Sequence, residues 1–278
     1  MNDTPSSLQT RYRVTLIGCG KMGSAMLRSW LNDDLIEHVN VIDPSPVKID
    51  GTANDTRVSY CQSLTSTSLE SDIVVLAVKP QTLEGSLKSI EVSASASLPV
   101  FLSIAAGQTI HTLRRFLGSN TAIIRTMPNT PAAIGKGMSV SVSNTLVSDQ
   151  QKLMANKLLQ STGQSLWIED EALMDAVTAL SGSGPAYIFY LIEVMANAGE
   201  KLGLDKDMAM SLARQTVIGS AALAETEQQL SASTLRENVT SPGGTTQAAL
   251  EKLMDGEFQN IFDGALQHAK KRAEELNG

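Results

Sequence analysis

Three glycines, Gly18, Gly20 and Gly23, stand in the spacing Gly-x-Gly-x-x-Gly directly after the apolar run Val14-Thr15-Leu16-Ile17. At a strand-to-helix junction this spacing builds a turn that can carry a pyrophosphate. The first glycine allows the tight bend, the second lets phosphates approach the backbone, and the third lets the helix pack on the strand. The helix N-terminus adds free N–H groups and a partial positive charge. Gly18, Cys19, Gly20, Lys21, Met22 and Gly23 are therefore candidate dinucleotide-binding residues. Asp43 follows Gly23 by about 20 residues and ends a second apolar stretch, Val39 to Ile42, where a carboxylate would accept from a ribose 2′-OH. Ser45 is a candidate donor to a 2′-phosphate. The alternative reading of the glycines is a plain strand–turn–helix corner.

Other loops follow apolar runs. In Ala77-Val78-Lys79-Pro80-Gln81, Pro80 cannot continue a sheet ladder, so the chain leaves there over the dinucleotide crevice. Lys79 is a candidate contact to the nicotinamide ribose or carboxamide, or else a solvated loop lysine. In Met127-Pro128-Asn129-Thr130-Pro131 two prolines are expected to hold Asn129 and Thr130 in a rigid extended loop. Asn129 then offers its amide to a ligand or to backbone, or else locks its own turn. Ser181-Gly182-Ser183-Gly184-Pro185 is a small-residue entry to a helix, read chiefly as a close-packing device. Thr240-Ser241-Pro242-Gly243-Gly244-Thr245-Thr246 precedes another helical run. Backbone N–H groups at such a junction converge into an anion nest, with Ser241 and Thr245 as hydroxyl donors to a carboxylate. Simple N-capping by Thr245 or Thr246 is the competing reading.

These loops need elements to hold them. The runs Arg13 to Ile17, Val39 to Ile42, Asp72 to Val78, Pro99 to Ile104, Ala122 to Arg125, Met138 to Val142 and Ser165 to Ile168 read as strands. Helical patterns lie between them, over Met22 to Trp30 and Gln150 to Leu159. Alternation of this kind implies an α/β unit with a mainly parallel, doubly wound sheet, Rossmann-like in class. After Glu169 only helices are expected: Ala172 to Leu180, Pro185 to Leu202, Lys206 to Glu225, Thr246 to Met254 and Phe258 to Leu276. The expected domains are residues 1–168, dinucleotide-binding, and 169–278, all-helical. The Pro185 helix is apolar nearly all round, so a second subunit is expected to cover it.

The chain has 278 residues, a formal charge of −7 and 42% hydrophobic residues. That balance fits a soluble globular protein and opposes binding to nucleic acid or anionic membranes. Cys19 and Cys61 give no disulfide framework and suit a reducing, cytoplasmic setting. Met1 to Thr10 is polar, so no signal peptide is expected, and no apolar stretch approaches a membrane span. His38, His111 and His268 are scattered without metal-ligand spacing, so no metal is expected. Motifs for hydrolysis and phosphoryl transfer are missing from the sequence. A reaction needing little acid–base help fits best. A 3-hydroxy-acid dehydrogenase would need a lysine base, for which Lys201 and Lys206 are the candidates. A dinucleotide sensor without catalysis is the other alternative.

The glycine turn, Ala77 to Gln81, Met127 to Pro131, Ser181 to Tyr187 and Val239 to Thr246, in this order, resemble pyrroline-5-carboxylate reductase from about Tyr12 onward. The resemblance implies reduction of the cyclic imine 1-pyrroline-5-carboxylate to L-proline with NADPH or NADH, the last step of proline biosynthesis. It implies that Ser241, Gly243, Gly244 and Thr245 grip the substrate carboxylate and that the Thr246 hydroxyl faces the ring nitrogen. It implies coenzyme contacts from the glycine turn, Ala77 and Lys79. It also implies homodimers or larger oligomers through the helical domain. Asp43 leads us to expect good use of NADH.

Overall fold

The computed structural model describes residues 10–45, 52, 54–63, 70–88 and 99–277. The stretch Met1 to Gln9, for which no signal peptide is expected, lies outside them. Strands β1 (Tyr12–Ile17), β2 (Ile36–Ile42), β3 (Val58–Cys61), β4 (Ile73–Leu76), β5 (Val100–Ser103), β6 (Ile123–Met127), β7 (Gly137–Ser143) and β8 (Gly163–Trp167) form one sheet. Its order is β3-β2-β1-β4-β5-β6-β7-β8. Pairing is parallel from β3 through β6; β7 runs antiparallel to β6, and β8 parallel to β7. The order 3-2-1-4-5-6 is that of the doubly wound dinucleotide fold, with the strand order reversing beside β1.

Helices α1 (Lys21–Asn32), α2 (Pro80–Lys88), α3 (Ile110–Leu117) and α4 (Asp149–Gln160) cover both faces. The alternation along β4 shows why its four residues are all apolar. Ile73 and Val75 pack with Met26, Trp30 and Leu158 of α1 and α4. Val74 and Leu76 pack with Leu83, Leu87 and Leu113 of α2 and α3. Each such side chain contributes about 1.5–3 kcal/mol by leaving water. The Trp30 Nε1–H donates to the Leu158 carbonyl at 2.8 Å, so the buried indole leaves no orphan donor where α1 meets α4.

The structure differs from the sequence reading at two segments. The stretch 172–180 is not one helix. A 3₁₀ turn (Glu171–Leu173), a short α5 (Met174–Val177) and a π turn (Thr178–Gly182) succeed one another. The Ser181 carbonyl, in the π turn, accepts from Asn129 Nδ2 at 3.1 Å. Thr130–Ile134 is likewise a 3₁₀ turn rather than extended chain, with Asn129 extended before it. Strand β3 escapes a sequence reading because its four residues are only half-buried at a sheet edge and show no apolar run.

The chain divides into two compact units. One runs to Gly182 and takes back the chain from Lys270; the other is Ser183–Ala269. The second unit is helical: α6 (Gly184–Lys201), α7 (Lys206–Thr226), α8 (Ala232–Asn238), α9 (Thr245–Leu253) and the first part of α10 (Glu257–Leu276). Within it Phe262 meets Tyr187 edge-on, with centroids 6.4 Å apart. In the single chain α6 buries only Ala196 completely, while Phe189 is 60% and Tyr190 66% exposed. No helix among the described residues is long and apolar enough to cross a membrane.

Candidate functional site

The carboxyl ends of β1, β4 and β5 lie on one edge of the first unit, joined by backbone hydrogen bonds. Ala77 N–H donates to the Ile17 carbonyl (2.8 Å) and Ile104 N–H to that of Leu76 (3.0 Å). The glycine turn sits on this edge, tied by Gly18 N–H to the Ile42 carbonyl at 2.8 Å. Each glycine has its own geometry. Gly18 has φ +92°, and a Cβ there would lie 2.7 Å from the Ala77 carbonyl oxygen. A Cβ on Gly23 would lie 2.4 Å from the Gly18 carbonyl oxygen. Gly20 differs: a Cβ there would meet nothing within 4 Å. Two glycines are therefore required by the fold, whereas the third leaves open space.

Gly20 is also the N-cap of α1, with no side-chain cap. Among the other helices, α3, α4, α7 and α8 begin on Thr109, Ser148, Asp205 and Ser231, each capping through its side chain. An uncapped first turn leaves N–H groups without helical carbonyl partners. Residues 18–23 thus fit a pyrophosphate. Lys21 is exposed and Met22 partly buried at the start of α1.

Asp43 stands at the end of β2. Its carboxylate accepts from Cys19 N–H (2.8 Å) and Ser45 N–H (2.9 Å), which fixes an anion beside the turn. Burial pushes the Cys19 thiol up to about 11; the Asp43 charge adds to this, and Arg28 opposes it. Ser45 and Lys79 are exposed, and Ala77 and Pro80 are partly buried where the chain leaves β4 for α2. The Lys79 carbonyl accepts from Thr82 N–H and Oγ1, both at 3.0 Å, which closes the first turn of α2.

Asn129 is engaged at both ends of its amide. Its Oδ1 accepts from Met138 N–H at 2.9 Å and its Nδ2 donates to the Ser181 carbonyl. It joins the backbone of β7 to that of the π turn and makes no side-chain cap bond in its own turn. Among the described residues no cluster of metal-ligating side chains occurs.

The second unit holds the other half of the candidate residues. Helix α9 starts on Gly244, again without a side-chain cap, so neither Thr245 nor Thr246 serves as N-cap. Before it, Gly244 N–H donates to the Ser241 carbonyl at 3.0 Å, and Gly243 has φ +72°. Gly243 N–H is already engaged, donating to Gln247 Oε1 at 2.6 Å. Ser241, Thr245 and Thr246 are exposed. Lys201 and Lys206 are exposed at the α6–α7 junction, a poor setting for a buried base.

Sequence reasoning missed one cluster. Arg125, only 4% exposed, pairs with Glu171 Oε1 at 2.8 Å and donates to Asn277 Oδ1 at 3.3 Å. An arginine ending an apolar strand was the available signal.

Residues 171–276 match the family model described as pyrroline-5-carboxylate reductase dimerisation. Residues 13–107 match the one described as NADP oxidoreductase coenzyme F420-dependent. The chain is 36% identical to a pyrroline-5-carboxylate reductase of Pseudomonas aeruginosa, over 95% of this chain and 96% of that one. A solved pyrroline-5-carboxylate reductase of Coxiella burnetii superposes with a TM-score of 0.90 at 34% identity, covering 97% of this chain and 100% of that chain. A Plasmodium falciparum pyrroline carboxylate reductase, solved with NADP bound, gives 0.79 at 30% identity, covering 96% and 98%. The chain belongs to the pyrroline-5-carboxylate reductase family.

Proposed function

We propose that the two glycine-started helices divide the work of one reaction, the NAD(P)H-dependent reduction of 1-pyrroline-5-carboxylate to L-proline. The observation that carries this is that α1 and α9 have uncapped glycines, Gly20 and Gly244, at their N-cap positions after a glycine turn, whereas four helices cap themselves and α5 and α6, also uncapped, follow Leu173 and Ser183. Such a start favours an anion from outside the chain. At α1 the fitting anion is a pyrophosphate, held by residues 18–23 with Ala77, Lys79 and Pro80 along the same strand edge. At α9 it is the substrate carboxylate, held by Ser241, Gly243, Gly244 and Thr245. The Gly243 N–H must first leave Gln247.

When bound, the reduced nicotinamide supplies a hydride. The protonated imine already carries positive charge, and hydride addition neutralises it, so no proton is needed in the same step. The protein has to hold the C=N carbon about 3–3.5 Å from the hydride donor. The Thr246 hydroxyl is assigned to the ring nitrogen. Asn129 acts indirectly, by fixing the loop after β6.

The fixed Asp43 carboxylate would repel a 2′-phosphate and accept from a 2′-OH, which supports good use of NADH. Ser45 offsets this in part. The exposed apolar side chains of α6, with Leu212 and Ile218 of α7, support a homodimer or larger homo-oligomer through the helical unit. Two unpaired cysteines accord with a cytoplasmic setting. The test is steady-state turnover, offering the cyclic imine with NADH or NADPH and, in parallel, a 3-hydroxy acid with NAD⁺ or NADP⁺. Turnover of the imine alone supports the reading; turnover of the hydroxy acid alone overturns it.

A further inference from the structure

We infer that Asn277, directly after α10, is a positioning residue for the coenzyme. The inference rests on the proposed placement of the coenzyme along the strand edge. Its observations all lie within the first unit. The loop after β5, Ile104 to Thr109, sits on the same carboxyl edge as the glycine turn, through the Ile17–Ala77 and Leu76–Ile104 hydrogen bonds already described. Ligands of parallel sheets collect at this edge.

Two contacts hold that loop from behind. Within it Gly107 has φ +71°, and a Cβ there would lie 2.8 Å from the Leu276 carbonyl oxygen. The end of α10 therefore lies directly against the loop backbone. At its far end Ile110 N–H donates to Glu171 Oε1 at 2.9 Å. The same oxygen accepts from Arg125 Nη1 at 2.8 Å. The other guanidinium arm donates to Asn277 Oδ1 at 3.3 Å, and Asn277 Nδ2 reaches both oxygens of Asp175, each at 2.9 Å.

The result is a chain of four side chains, Glu171–Arg125–Asn277–Asp175, that fixes where α10 ends and so where the loop rests. Asn277 suits its place because its amide is polar at both ends. The oxygen faces a cation and the nitrogen faces a carboxylate. An aspartate at this position would satisfy Arg125 but repel Asp175; an alanine would leave both without this partner.

The test measures NADH and NADPH affinity by fluorescence titration of the full chain, with KM and kcat for the imine alongside. Asn277→Ala is expected to raise the coenzyme Kd at least fivefold while the imine KM changes less than twofold. Asn277→Asp should weaken coenzyme binding too. The double substitution Asn277→Asp with Asp175→Asn exchanges amide and carboxylate and should restore the Kd to within twofold of the native value. Native-like binding by Asn277→Ala overturns the inference. So does a double substitution as weak as Asn277→Asp, since that marks loss of structure rather than of position. If Asn277→Ala fails to fold, the contrast between Asn277→Asp and the double substitution decides alone. A native chain that binds neither coenzyme overturns the underlying placement instead.

Discussion

Replacing Gly20 by alanine separates a phosphate cradle from an ordinary corner. Gly20 has φ −69° and ψ −163°, a conformation open to alanine, and a Cβ there meets nothing within 4 Å. Two small effects on stability oppose each other. Alanine restricts the unfolded chain, which stabilises by about 0.4–1 kcal/mol where the native conformation is compatible. Alanine is also the poorer N-cap, by a few tenths to about 1 kcal/mol. The net change lies within about 1 kcal/mol, and the Tm should move by no more than about 4 °C. Coenzyme binding should fall much further, because the methyl group projects into the space the pyrophosphate needs. A loss of about 2 kcal/mol is roughly a thirtyfold rise in Kd. Gly23→Ala is the control, since its Cβ would lie 2.4 Å from the Gly18 carbonyl oxygen. That overlap should destabilise by about 1–3 kcal/mol. Thermal unfolding and coenzyme titration on the two variants provide the assay. Gly20→Ala with native coenzyme affinity would refute the cradle and leave the plain corner.

Five further outcomes are expected. Asp43→Ser should raise the NADPH-to-NADH ratio of kcat/KM about tenfold, equivalent to roughly 1.4 kcal/mol. It should weaken both coenzymes somewhat, because Cys19 N–H and Ser45 N–H lose their acceptor. An unchanged ratio in initial-rate assays counts against the role. Ser241→Ala should raise the imine KM roughly tenfold by removing a hydrogen bond to a charged group, whereas Thr246→Ala should lower kcat with coenzyme Kd intact; native kcat/KM in the second variant removes its assigned role. Phe189→Glu, on the exposed face of α6, should yield a smaller species in light scattering, because an unpaired charge opposes burial of that face. Cys19 has its proton held more tightly in the folded chain, at about 11 against an ordinary 9.0. Its contribution to stability is full below pH 9 and falls as pH rises through about 11. Alkylation of the native chain, read by mass spectrometry, should accelerate across that same range, and a plateau by pH 9 would contradict the burial.

The sequence exposed most of what local chemistry dictates. Buried parallel strands need apolar side chains on both faces, so β1, β4 and β5 were legible as runs. Gly18 and Gly23 were legible because no other residue fits their close approaches. The break at 171–182 was not: its π turn is tied by a hydrogen bond to Asn129, 52 residues away from Ser181, which no local pattern reveals. The engagement of Gly243 by Gln247 was hidden for a related reason. Glutamine at the third helical position has several uses, and only the turn geometry selects one. The Arg125 cluster gathers residues from 125 to 277, a span that no periodicity within an element reveals.

The central claim is hydride delivery to a cyclic imine, and direct isotope transfer tests it most closely. NADH deuterated at the transferable position, incubated with the chain and 1-pyrroline-5-carboxylate, should give proline carrying one deuterium on the ring carbon that was double-bonded to nitrogen. Proline without label, or coenzyme oxidation without proline, would contradict the account.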